Sequence, residues 1–159
     1  MRISARADYA VRALVLLAQR GKDDALSADT IARECDIPGK FLEAIMTNLR
    51  RAGIVVSQRG ARGGFRLALA ADDLSVADVI RAVEGPLVYV RDARPSEMEY
   101  ADNANAAVMV DLWVALRAGV RAVLETTTIQ DLAIRRLPAS VQALVDDAAS
   151  WQQSSAFGD

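Results

Sequence analysis

The chain has 159 residues, 52% of them hydrophobic and 25% charged, with a net charge of −2. That composition predicts one globular domain, or a domain with a helical arm, and no apolar run reaches the ~18 residues that span a bilayer. A single cysteine excludes an internal disulfide and suits a cytoplasmic protein, and the lack of histidine removes the commonest general base and metal ligand. The charge is unevenly spread. Residues 1–67 carry 12 Lys and Arg against 7 Asp and Glu, a balance of +5, whereas residues 68–159 carry 7 against 14, a balance of −7. This predicts a basic half that faces a polyanion and an acidic half that faces away.

The first predicted helix covers 5–20. Tyr9, Ala13, Leu16 and Leu17 share a face, and Asp8 and Arg12 within that pattern argue for a folded helix rather than a secretory signal. A polar turn over 21–26 leads to a short helix that Ser27 caps and Cys35 ends. Asp36 and Ile37 form a turn, and Pro38 suits the first position of a second helix, over 38–52. There Phe41, Leu42, Ile45, Met46 and Leu49 recur at helical spacing as one apolar face, with Lys40, Glu43, Thr47, Arg50 and Arg51 on the other. Gly53 stops that helix. Residues 54–69 read as a hairpin of β-formers around the tip Arg59–Gly64, RGARGG, whose glycines permit close backbone approach. Two helices followed by a narrow basic hairpin make a winged helix-turn-helix, a form that places a polar helix face in a major groove and a hairpin along phosphates or in a minor groove.

Beyond the hairpin, Ser75 caps a helix over 76–84 with an apolar stripe of Val76, Val79, Ile80 and Val83, and Gly85–Pro86 breaks it. Residues 91–103 are polar and read as loop. A long helix over 104–125 is apolar on most sides. Val108, Leu112, Trp113, Leu116, Val120 and Val123 need a cover that the remaining chain is too short to supply, and a twofold partner is the natural one. Thr128 caps a short helix over 129–136, Pro138 opens a last helix to about 150, and 151–159 read as a frayed tail. The predicted class is thus mainly α. Its divisions are a winged helix-turn-helix domain over 1–88, a loop over 89–103, a helical dimerisation region over 104–150, and the tail.

Three stretches carry a resemblance: RISARADYAVRALVLLA at the start, SADTIARECDIPGKFLEAIMTNLRRAGIVVSQRGARGGFRLA, and SVADVIRAVEGPL. Together they resemble the Rrf-two family of bacterial winged-helix transcription regulators, which includes the iron–sulfur-cluster regulator and the nitric-oxide-sensing repressor. The likeness is close over the first 88 residues and weaker through DLWVALRAGVRAVLETTTIQDLA. It implies a homodimeric DNA-binding regulator, a repressor, that reads a palindromic operator on double-stranded DNA and dimerises through the long helix. By resemblance and by face, Gly39, Lys40, Glu43 and Thr47 are base readers: Lys40 donates to guanine and Glu43 accepts from cytosine N4. The plainer reading of Glu43 is a pair with Lys40 or Thr47 within its helix. Arg50 and Arg51 suit phosphates, and Arg59 and Arg62 are the wing contacts. The resemblance also puts the start of the first helix, with Arg2 and Ser4, on the DNA backbone; the plainer reading is a solvated helix end.

The sequence departs from the family's best-known members at their cluster site. Where these carry three closely spaced cysteines, residues 87–113 hold neither Cys nor His, so no iron–sulfur cluster, no metal and no other cofactor is predicted, and any small-molecule effector is unknown. Cys35 is a small hydrophobe between helices or, alternatively, a redox switch. The competing function is a winged-helix protein-interaction module without specific DNA binding; the basic N-terminal half argues against it. An enzyme has no support, because RGARGG lies in a hairpin rather than between a strand and a helix.

Overall fold

A computed structural model describes residues 3–21, 24–60, 63–88, 97 and 104–152, the last range by backbone alone over 104–107. Its organising element is α1 (Ala5–Arg20), which packs against the next three helices, the hairpin and a short helix near the C-terminus. Ser4 caps it by accepting from the Ala7 N–H at 3.1 Å, and Ala7, Ala10, Ala13, Leu14 and Leu17 bury one face. In α2 (Ala28–Cys35), Ser27 accepts from the Thr30 N–H at 3.1 Å. Asp36 ends it in the left-handed region, with φ 52°, and the Ile37 N–H returns to the Ala32 carbonyl at 2.9 Å.

In α3 (Gly39–Arg51), Pro38 is the cap rather than the first helical residue, and Leu42, Ile45, Met46 and Leu49 are all fully buried. Phe41, expected on that apolar face, is instead 53% exposed. Positions 42, 45, 46 and 49 already complete the inward stripe, and 41 falls beside it. Gly53, φ 73°, turns the chain out of the helix as expected.

β1 (Val55–Gln58) and β2 (Gly64–Leu67) pair antiparallel, Val55 opposite Leu67 and Gln58 opposite Gly64. A second contact ties the hairpin down. Leu26, just before α2, exchanges both backbone hydrogen bonds with Phe65, at 2.9 and 2.7 Å. In α4 (Val76–Glu84), Ser75 and Asp78 form a capping box, and Val76, Ala77, Val79, Ile80 and Val83 are buried.

Among the described residues, the long α5 (Ala104–Leu124) packs chiefly against α4, with Leu124 at the edge of the core. The chain then returns to the winged domain. Thr128 and Asp131 build a second capping box at the start of α6 (Ile129–Ala133), beside the first. The Val76 N–H donates to the Thr127 carbonyl and the Ile129 N–H to the Leu74 carbonyl, each at 2.9 Å. Ile129 is wholly buried in the core, and α6 lies on α1. The expected division at 88 therefore does not separate two cores: a five-residue helix from the 104–150 region completes the first one. The last helix is shorter than expected, with α7 (Ala139–Asp146) followed by a 3-10 turn over Ala148–Trp151. Among the described residues, no helix is long and apolar enough to cross a membrane.

Candidate nucleic-acid interface

The exposed side of α3 is the centre of the candidate site. Gly39, Lys40, Glu43, Arg50 and Arg51 are exposed and Thr47 is half-buried. Lys40, Glu43 and Thr47 follow at three- and four-residue steps, so they line one strip of the helix. A Cβ on Gly39 would meet nothing within 4 Å, so packing does not demand glycine there and the helix N-terminus is open to close approach. Elsewhere charges pair, as Arg12 with Asp8, Arg20 with Glu34 and Arg81 with Glu125. Among the described residues, Lys40, Glu43, Arg50 and Arg51 make no ion pair and no side-chain hydrogen bond. The plainer reading of Glu43, a pair with Lys40 or Thr47, is not what the structure has.

In the wing, Arg59 is exposed and Arg62 lies outside the described residues. The tip closes through the Gly63 N–H donating to the Gly60 carbonyl at 2.8 Å. The tip glycines, expected to permit approach to a ligand, divide by role. Gly60, φ 109°, has open space around it. A Cβ on Gly63 would lie 2.7 Å from the carbonyl oxygens of Gln58 and Gly60, and one on Gly64 2.2 Å from that of Leu26. Those two glycines serve the hairpin's own packing.

At the start of α1, Arg2 lies outside the described residues. The Ser4 hydroxyl both accepts from the Ala7 N–H and donates to the Glu84 carboxylate, so it is engaged within the fold. Arg6, which the sequence also places at this helix start, is turned toward α3. Its Nε is buried with no partner among the described residues, and it lines a hollow of about 450 Å³ with Lys40, Phe41 and Ala44. The Phe41 ring meets Tyr9 edge-on, centroids 6.1 Å apart at 71°, and the Arg12 guanidinium stands 5.0 Å from the Tyr9 centroid.

Cys35 is half-buried against α1, and its thiol points to the Arg12 carbonyl, Sγ to O 3.6 Å. Burial pushes its pKa up, the Arg12 charge opposes this and Glu34 adds to it. The nearby cation is thus Arg12, from another helix, rather than the sequence neighbour Arg33. A thiol held protonated is a poor nucleophile.

The donor set does not fit a cluster. The whole chain offers one thiol and no imidazole, and a cluster takes three or four such ligands. Among the described residues no three Cys, Asp or Glu converge on a metal-sized site.

On α5, Val108 is 61% and Leu112 52% exposed, with Val114 and Leu116 also exposed. Trp113, Val120 and Val123 are half-buried, and the Trp113 Nε1 is buried without a partner among the described residues. At the other end of this helix Arg121 and Arg81 both bind Glu125, and these hydrogen bonds hold its carboxyl at about 2.

A family model named Rrf2 and described as an iron-dependent transcriptional regulator matches residues 3–135. A Mycobacterium tuberculosis protein named as an HTH-type transcriptional regulator, Rv1287, is 43% identical over 158 residues, covering 99% of this chain and 96% of that one. The regulator CymR of Bacillus subtilis is 33% identical over 136 residues, covering 84% and 90%. Its solved structure, titled as the global cysteine regulator, superposes with a TM-score of 0.70 over 85% of this chain and 98% of that one, at 32% identity. The structure of T. potens IscR gives 0.69 over 85% and 88%, at 28% identity.

Proposed function

The chain belongs to the Rrf2 family of HTH-type transcriptional regulators, and from that premise we propose that it is a homodimeric repressor reading a palindromic operator. The observation that carries the reading is the exposed strip of α3, whose Lys40, Glu43, Arg50 and Arg51 have no partners among the described residues. In the major groove Lys40 donates to guanine O6 or N7, Glu43 accepts from cytosine N4, and Gly39 and Thr47 lie on either side of them. An acid beside phosphates is costly unless it reads a donor, which is the reason for assigning Glu43 to a base. Arg50, Arg51 and the wing's Arg59 and Arg62 neutralise phosphates or enter the minor groove, and Arg2 and Ser4 mark where the start of α1 nears the backbone. The apolar stripe of α5, Val108, Leu112, Trp113, Leu116, Val120 and Val123, exposed at Val108, Leu112 and Leu116, is the twofold contact. It sets two recognition helices against half-sites about one helical turn apart. A dimer seated on a promoter excludes polymerase from it. No iron–sulfur cluster takes part.

The test is selection of duplexes from a random-sequence pool, followed by fluorescence anisotropy across a salt series. Wild type is expected to return a palindromic motif. Glu43→Ala should relax the motif at one symmetric position, and Arg50→Ala should weaken all sequences alike and flatten the salt slope by about one. The same motif for wild type and Glu43→Ala would refute the base-reading role.

A further inference from the structure

We propose that the hollow between the starts of α1 and α3 is a thymine-methyl pocket, with Phe41 and Ala44 as its apolar floor and Arg6 and Lys40 as its cationic rim. It rests on the reading of α3 as the recognition helix and adds a specificity-determining residue, Phe41, to it.

Phe41 is the exposed apolar side chain of a helix whose other large apolar residues are fully buried. Exposed at 53%, it keeps about half of its transfer free energy in reserve for a partner. Ala44 follows three residues on, so the two share a strip of the helix beside the strip of Lys40, Glu43 and Thr47. The ring is held in advance. Tyr9 meets its edge, and Arg12, ion-paired to Asp8 at 3.1 Å, stands over Tyr9. A side chain already ordered gives up little entropy on contact.

The rim completes the chemistry. Lys40 and Arg6 line the same hollow of about 450 Å³, and the Arg6 Nε has no partner among the described residues. Two cations around an apolar floor suit an apolar group displayed next to phosphates. In the major groove the only such group on an unmodified base is the C5-methyl of thymine, and Phe and Ala are side chains that contact it.

Deoxyuridine lacks only that methyl, which makes the test direct. In the duplex selected by the wild-type protein, each thymine is replaced in turn by deoxyuridine and affinity is read by anisotropy. One thymine per half-site should prove sensitive, with about a fourfold loss, the effect of one buried methyl. Phe41→Ala should bind the thymine and deoxyuridine duplexes alike at that position, and Ala44→Ser should narrow the difference. Both substitutions sit on exposed positions, and matching melting curves would confirm that the fold is kept. A sensitive thymine whose effect persists in Phe41→Ala, or no sensitive thymine at all, would overturn the pocket while leaving sequence-specific binding intact. A wild-type protein that selects no sequence would overturn the recognition-helix reading, and the pocket with it.

Discussion

Gly64→Ala is expected to be the most damaging single-methyl change in the wing. The new Cβ would lie 2.2 Å from the Leu26 carbonyl oxygen, 2.3 Å from its carbon and 2.7 Å from the Ser27 nitrogen. All three are backbone atoms, so no side chain can swing aside, and the hairpin must lift off the backbone at Leu26. Lifting it breaks the two Leu26–Phe65 hydrogen bonds, about 1 kcal/mol each. It also loosens Phe65 and Leu67 in the core, and strain of this kind costs about 1–3 kcal/mol. The expected loss is about 3–5 kcal/mol, a fall in melting temperature on the order of 10 °C for a chain of this size. Gly60→Ala is the control. Its Cβ meets nothing within 4 Å, so only the positive φ is strained, at about 1 kcal/mol. Urea and thermal melts of both variants decide the matter. If Gly64→Ala melts with the wild type, or Gly60→Ala is the worse of the two, the packing role of Gly64 is refuted.

Three further outcomes are expected. The folded-state pKa of Glu125, about 2, lies below its ordinary value of 4.5, so its pairing with Arg121 and Arg81 supports the fold fully above that value and is lost as pH falls toward 2. Melting temperature against pH should therefore drop less steeply in that window for Glu125→Gln than for wild type, and identical slopes would contradict this. Cys35, its pKa raised by burial, should react with a thiol reagent at neutral pH more slowly than free cysteine. Cys35→Ser should leave the response of DNA binding to oxidant unchanged, and a loss of that response would restore the switch. Leu112→Asp, on an exposed turn of α5, should convert a dimer to a monomer by light scattering with the monomer's helix content kept; an unchanged mass would move the interface elsewhere.

Much of the fold was legible because its signals are local. Ser27, Ser75 and Thr128 each cap a helix where a hydroxyl precedes an apolar periodic run, and the side-chain bonds to Thr30, Asp78 and Asp131 are there. Leu42, Ile45, Met46 and Leu49 have helical spacing and are buried. What escaped depends on distant partners. Phe41 borders the apolar stripe that positions 42, 45, 46 and 49 complete, and its ring contact with Tyr9 lies on another helix. The glycines of RGARGG look alike in sequence, and the Leu26 backbone alone sets Gly64 apart. Arg6 is one arginine among many until Lys40 and Phe41 are brought beside it. Ser4 offered a hydroxyl for phosphate, and its bond to Glu84 spans most of the winged domain.

The paired caps at Ser75 and Thr128 bear on the order in which the protein comes into being. Ile129 fills the core against α1, which leaves the ribosome more than a hundred residues before it, and the backbone bonds from Leu74 and Val76 wait for Thr127 and Ile129. Closing that long loop costs little more entropy than closing one half its length, so the delay is one of synthesis rather than of equilibrium. Until α6 emerges, the reading head has an open seam along α1 and α4. The nascent chain therefore finishes its winged half only after the whole of α5 is already made.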